Sequence, residues 1–180
     1  MMSDKTVIQK HFLKQTPTGD DKERDVCGHC GFIDYKNPRI IGAILATYEG
    51  RVLLCRRAIE PRRGFWTLPA GFLEAHEAVE DGARREAYEE AMCRPELEQV
   101  LAVYSVPKIS QVHVMFRARL ERPEFAPGAE SLEVRLFAYE DIPWDDIAFP
   151  TVRKALTHWR MTANEARFPT FYETIGEPHP

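Results

Sequence analysis

The chain has no long apolar run. Its most apolar stretch, Ile40 to Tyr48, is less than half a membrane span, and a composition of 180 residues, 44% hydrophobic and 29% charged, is that of a soluble globular protein. A transmembrane helix is thereby excluded. Basic charge is not in excess either: 24 Lys and Arg against 28 Asp and Glu leave a net charge of -4, so no general field attracts a phosphodiester backbone. Nucleic acid and membrane are not expected as partners, and a phosphate-bearing small substrate would need a cation or local arginines to offset repulsion. Cysteine is scarce, and Cys27, Cys30, Cys55 and Cys93 are too unevenly placed for a disulfide framework. Met1 to Gln15 holds neither the apolar core nor the cleavage site of a secretory leader, so a cytoplasmic protein is expected.

Few apolar side chains occur before residue 27, and Thr16-Pro17-Thr18-Gly19-Asp20-Asp21 is rich in turn formers; this segment reads as an arm or an incomplete small module. A compact domain is expected from Pro38, giving an arm over 1–37, a main domain over 38–165 and a tail over 166–180. Ile40–Tyr48 and Arg51–Arg56 are β-branched-rich runs around Glu49-Gly50, which predicts a hairpin. Ala75 to Met92 is rich in Ala, Glu and Arg, with Ala83, Ala87 and Ala91 recurring at helical spacing, and predicts a helix. Strands are expected over 98–106, 112–120 and 133–139; in the second, Val112, Val114, Phe116, Ala118 and Leu120 alternate with His113, Met115, Arg117 and Arg119, the pattern of a half-buried strand. A second amphipathic helix follows Pro150. The fold class is α+β.

On the first helix Glu86, Glu89 and Glu90 fall within roughly 100° of one another, with Glu86 and Glu90 about 6 Å apart along the axis. Like charges at that spacing cost a helix ~0.2–0.5 kcal/mol, so the stripe is either a solvated face or the seat of a counter-cation. Oxygen-only ligands suit Mg2+ or Mn2+. Gly71, Glu77 and the run Arg85-Glu86-Ala87-Tyr88-Glu89-Glu90 resemble the Nudix box, G-x5-E-x7-R-E-U-x-E-E-x-G-U with U apolar; every charged position is filled and the closing glycine is Met92.

This resemblance implies a Nudix hydrolase, with a mixed sheet sandwiched between helices and a short N-terminal zinc-ribbon-like arm. It implies Glu86, Glu89 and Glu90 as ligands of a divalent metal, the Gly71 carbonyl as a further ligand, and Arg85 and Glu77 as the ion pair that orients them. The general base of such enzymes is a box glutamate or a carboxylate on a distant loop; Glu130 and Glu133 are the distal candidates, each equally readable as plain surface.

Cys27-Gly28-His29-Cys30 resembles one knuckle of a zinc ribbon, and a structural zinc needs four ligands. No second Cys-x-x-Cys precedes it, and His29 and His11 are poorly spaced to complete it, so an unliganded half-ribbon is expected. The run Cys27 to Pro38, the segment Val52 to Pro61 and the stretch Phe125 to Phe137 are similar to the zinc-ribbon-bearing Nudix group that includes plant plastid FAD pyrophosphatase and bacterial ADP-ribose pyrophosphatase-like proteins. What that implies is cleavage of FAD or ADP-ribose at the pyrophosphate, giving AMP and a second monophosphate. The segment Ser105 to Gln111 lacks the motif of the pyrophosphatases for NADH. Arg56 and Arg57, with Arg62 and Arg63, form a short basic cluster suited to gripping phosphates, and Trp66, Phe65 and Tyr104 are either stacking partners for adenine or isoalloxazine or plain core. Two other functions are open: a non-catalytic sensor of ADP-ribose or flavin nucleotides, and an RNA-end pyrophosphohydrolase. A homodimer swapped through the arm would suit an incomplete ribbon.

Overall fold

The computed structural model describes residues 11–176, so the ends of the expected arm and tail lie outside the described residues. The chain forms two compact units, Met1–Asn37 and Pro38–Pro180. In the first, β1 (Phe12–Gln15), β2 (Arg24–Cys27) and β3 (Ile33–Asp34) make a three-stranded antiparallel sheet rather than an extended arm. Asp25 anchors it by pairing with Lys14 at 2.8 Å and with Lys36.

The second unit is built on one mixed sheet. Its main path runs β10 (Ser131–Phe137), β5 (Arg51–Arg57), β4 (Arg39–Tyr48), β9 (Gln111–Arg119), β8 (Glu96–Val106) and β11 (Phe171–Thr174). The expected hairpin forms between β4 and β5, and both turn residues have positive φ, Glu49 at 46° and Gly50 at 74°, as a tight primed turn requires. Beyond Thr47–Val52 and Tyr48–Arg51 these two strands part. The short strands β6 (Trp66–Thr67) and β7 (Ala70–Phe72) fill the opening, β6 bonding to β5 and β7 to β4.

Helix α1 (Val79–Ala91) covers one face of the sheet and α2 (Pro150–Thr162) the other, each over its own apolar cluster. Along β4, Ala43 and Leu45 face the α2 cluster while Ile44 and Ala46 face the α1 cluster, which is why this run is apolar without alternation. α1 comes close because its facing residues are Gly82, Ala83, Ala87 and Ala91, and because β4 presents Gly42, where a Cβ would lie 3.1 Å from the Ala83 nitrogen.

Three expectations need correction. β9 is half-buried only over residues 111–114; Met115, Phe116, Arg117 and Ala118 are buried on both faces. Arg117 fits there because its guanidinium donates to Glu98 and to the carbonyls of Thr162 and Glu165, and lies over the Phe168 ring. α1 starts at Val79 rather than Ala75, since His76 has φ of 67° and Ala75-His76 form a turn closed by Glu77 N–H donating to the Glu74 carbonyl. The expected tail supplies β11, which adds to the sheet in parallel with β8.

The helix also ends where a glycine would end it. Met92 takes the left-handed conformation at φ 48°, at a cost of about 1–2 kcal/mol for a residue with a Cβ. The following loop secures the last turn, with Ala126 N–H donating to the Ala91 carbonyl at 3.0 Å and Gly128 N–H to the Glu90 carbonyl at 3.1 Å.

Candidate active site

The turn before α1 sets the geometry of its acidic face. Glu77 lies outside the helix and accepts from the Glu74 N–H at 3.0 Å and from Arg85 Nε at 2.8 Å and Nη2 at 3.0 Å, a two-pronged pair across a full turn. These bonds hold the Glu77 carboxyl far down, at about 2. Pinned by Glu77 and by the Phe72 carbonyl, the Arg85 guanidinium spends its other terminal nitrogen on Glu86 at 2.7 Å and Glu89 at 3.0 Å.

Glu90 points the other way, into the opening between β4 and β5, where its Oε2 accepts from the Ala70 N–H at 3.2 Å. Burial pushes its carboxyl up to about 8, and burial also raises that of Glu86. Gly71 sits against the same group: a Cβ there would fall 2.2 Å from the Glu86 carboxylate, so any other residue would displace that side chain. Among the described residues no three Asp, Glu, His or Cys side chains close on one point; between Glu86 and Glu89 it is Arg85 that supplies the positive charge.

Glu90 has a consequence for stability. Its folded value lies above that of an unfolded chain, so the folded state holds the proton more tightly. That contribution is fully present below about pH 4.5 and is lost as pH rises through about 8. In chelator, the melting temperature is expected to fall between pH 5 and pH 9, and Glu90→Gln to remove at least ~5 °C of that fall. Thermal melts of both proteins across the range check it; parallel curves would show that Glu90 is not a strained buried acid.

A cavity of about 880 Å3 on the α2 face of the sheet joins these elements. Glu86, Glu89, Glu90 and Arg85 line it with Gly71, joined by Glu130 from the loop before β10 and by Arg57 at the end of β5. Of the two distal carboxylates, Glu133 lies elsewhere, 3.9 Å from Arg56 and 3.7 Å from Arg135. Arg56 itself is tied to the Gly64 carbonyl and does not reach the cavity. Trp66 is buried at 7% exposure edge-on to Phe137, and Tyr104 is buried on His158, so both belong to the core. Phe65 packs under Arg62. Not marked by the sequence are His113 and Gln111, which line the same cavity; only their place on β9, opposite Ile41 and Arg39, brings them there.

In the first unit, Cys27 and Cys30 form a folded half-knuckle, Gly31 N–H donating to the Cys27 carbonyl at 2.9 Å. Backbone N–H groups of His29 and Cys30 point at the Cys27 sulfur and lower its pKa. His11 meets this turn through its backbone, its carbonyl accepting from Gly28, and among the described residues no third ligand joins the two thiols.

An opened mixed sheet between two helices, with the acidic helix following a glycine loop, is the arrangement that sequence comparison places in a family. Residues 36–159 match the NUDIX domain and residues 11–36 match the Nudix N-terminal zinc ribbon. The chain belongs to the Nudix family of hydrolases. A NUDIX hydrolase of known structure from Nitrosomonas europaea is 43% identical, with a TM-score of 0.87 over 96% of this chain and 98% of that one. The ADP-ribose pyrophosphatase of Methanocaldococcus jannaschii is 27% identical over 61% of this chain and 67% of its own length. The NAD-capped RNA hydrolase NudC of Pseudomonas syringae pv. syringae is 30% identical over 68% of this chain, which spans 50% of that protein.

Proposed function

We propose that this protein hydrolyses the pyrophosphate bond of ADP-ribose or FAD, or of a related nucleoside diphosphate linked to a second group, releasing AMP and a second monophosphate. The observation that carries this reading is the single cavity in which a carboxylate cluster at one end meets an apolar chamber large enough for half a dinucleotide. Glu86, Glu89 and Glu90, with the Gly71 carbonyl, are the oxygen donors that would hold Mg2+ or Mn2+. Two observations fit them to such a cation: the carboxyls of Glu86 and Glu90 are raised chiefly by burial, and Gly71, having no side chain, lets the Glu86 carboxylate lie directly against its backbone. When bound, a divalent cation screens the pyrophosphate and lowers the pKa of water. The chain's own residues do the rest. Arg85, held by Glu77, keeps the Glu86 and Glu89 carboxylates in place, Arg57 faces the phosphates, and Glu130 stands ready to take the proton of the attacking water.

The kinship to NudC favours a second reading, removal of a nucleotide cap from RNA. One experiment separates the two: purified protein with Mg2+ or Mn2+ is given ADP-ribose, FAD, NADH, sugar nucleotides and NAD-capped RNA, and products are resolved by chromatography. AMP release from ADP-ribose or FAD at the highest kcat/KM is expected. Faster turnover of capped RNA would replace this reading with the second, and no turnover of any substrate would leave a binding module.

The half-ribbon plays no part in this chemistry. Replacing Cys27 and Cys30 together by serine is expected to change kcat less than about twofold and the melting temperature by less than about 2 °C, because two thiols alone do not make a stable zinc site. Stoichiometric zinc in the purified protein, lost with the melting temperature in the double variant, would sink that expectation.

A further inference from the structure

Four residues added in parallel to a sheet edge, as β11 is to β8, gain little from backbone pairing alone, and no tight turn ties the two strands together. What holds β11 is a chain of polar side chains on the α2 face. His158 of α2 is buried between Tyr104 of β8 and Glu173 of β11, its Nδ1 2.8 Å from the Tyr104 hydroxyl and its Nε2 2.9 Å from Glu173 Oε1. A carboxylate only accepts, so Nε2 carries the proton and donates to Glu173, while the Tyr104 O–H donates to Nδ1. Burial lowers the pKa of His158 and favours this neutral form. Lys154, one turn earlier on α2, pairs with the other Glu173 oxygen at 2.7 Å, and the Phe171 ring stacks on the imidazole at 3.8 Å.

This anchor positions the residue that follows the strand. Ile175 N–H donates to the Ser105 carbonyl at 2.8 Å, which carries the pairing with β8 one residue past β11. Ile175 thereby becomes part of the wall of the 880 Å3 cavity, together with Val106 and Pro150. A second cavity, of about 470 Å3, is lined by Arg153, Lys154 and Thr157 of α2 and again by Pro150 and Ile175. Pro150 and Ile175 are thus the common wall of the two spaces. Pro150 is fixed as the first residue of α2, whereas Ile175 is held only through β11.

From this arrangement we infer that Ile175 is a specificity-determining residue, which closes the chamber against ring systems wider than a purine, and that Glu173 and His158 are the residues that position it. The inference deepens the proposed hydrolysis, by saying which half of a dinucleotide the chamber admits, and rests on it for the position of the pyrophosphate. An apolar side chain in a wall selects by volume and not by hydrogen bonding. Cutting Ile175 back to alanine removes three carbons and joins the two cavities, which makes room for the three fused rings of isoalloxazine beyond the two of adenine. Enlarging it to phenylalanine does the reverse.

The test is a binding measurement on the full chain with AMP and FMN, which hold no pyrophosphate bond to cleave. Their affinities are measured by calorimetry in Mg2+ for the native protein, Ile175→Ala, Ile175→Phe, Glu173→Leu and Glu173→Gln, with hydrogen exchange at the Ile175 amide reporting the docking of β11. Ile175→Ala is expected to raise the affinity for FMN relative to AMP by at least about fivefold, and Ile175→Phe to lower it by about the same factor. Glu173→Leu is expected to move the ratio in the direction of Ile175→Ala and to speed exchange at Ile175 by about tenfold or more. Glu173→Gln, which keeps an acceptor for His158, is expected to hold both within about threefold of native. A ratio unmoved in the Ile175 variants that keep a native melt overturns the inference, as does a native protein that binds neither ligand. A ratio moved by Glu173→Leu with native exchange at Ile175 overturns the positioning role. If the ratio behaves as described and neither ADP-ribose nor FAD is hydrolysed, the wall stands and the proposed reaction falls.

Discussion

Glu86→Gln or Glu90→Gln is expected to lower turnover by about 10³-fold or more while leaving the fold intact. Glutamine keeps the shape and one acceptor oxygen, so Arg85 can still donate to position 86 and the Ala70 N–H to position 90. What it removes is a negative charge from the oxygen set that would hold the cation, and cation stabilisation of a phosphoryl transition state amounts to several kcal/mol. Stability moves in the opposite direction from activity. Both carboxyls are raised by burial, and Glu86 also feels Glu89 and Glu130 while Glu90 feels Glu86 and Glu130, so neutralising one relieves an unfavourable charge. Turnover at saturating Mg2+ together with a thermal melt gives both quantities. A variant with native turnover would reduce the acidic stripe to a solvated face, and one that unfolds would show that its charge is structural.

The acidic stripe was legible because helical spacing and a long, specific motif agree on the same residues, and Arg85 and Glu77 sit where that motif implies. The hairpin at Glu49-Gly50 was legible for a similar reason, since the local turn chemistry alone decides it. The errors fall where distant parts of the chain decide. Arg117 reads as a solvent-facing residue in an alternating strand, yet its partners are Glu98, Thr162 and Glu165, the last two 45 and 48 residues away. Trp66 reads as either a stacking residue or core, in a short extended piece beside the box, and its contact with Phe137 makes it core. β11 carries no strong period in four residues and forms by docking on β8, helped by the Phe171 ring stacked on His158 at 3.8 Å and by Glu173, which pairs with His158 and Lys154. His113 and Gln111 were invisible as site residues because nothing in their spacing separates a cavity-lining strand position from any other.

Glu130→Gln is expected to depress kcat by about 10²-fold or more with KM changed only a few-fold, and Glu133→Gln to leave both near native values. In sequence the two stand three positions apart, Glu130 slightly favoured by its place on the looser stretch after Gly128 and Ala129 and Glu133 at the start of an expected strand. The fold separates them. Gly128 packs on the end of α1 so tightly that a Cβ there would lie 1.7 Å from the Glu89 carbonyl oxygen, and its N–H bonds to the Glu90 carbonyl. That anchor ties the loop to the carboxylate helix and carries Glu130 into the cavity, where its charge is felt by Glu86 and Glu90. A further bond from the Ala58 N–H to the Glu130 carbonyl, 2.8 Å, fixes the backbone on the side of Arg57. Glu133 comes after the bulge at the start of β10 and faces Arg56 and Arg135 outside the cavity. A base acts only as water loses its proton in the transition state, so its removal appears in kcat, and general-base contributions of 10²–10⁴ set the scale. A residue that merely positioned substrate would raise KM instead. Steady-state kinetics of both variants at saturating Mg2+ decide between these roles, and full kcat in Glu130→Gln would pass the base to a glutamate of α1, with Glu86 first because it lines the cavity beside Gly71 and its carboxyl is raised by burial.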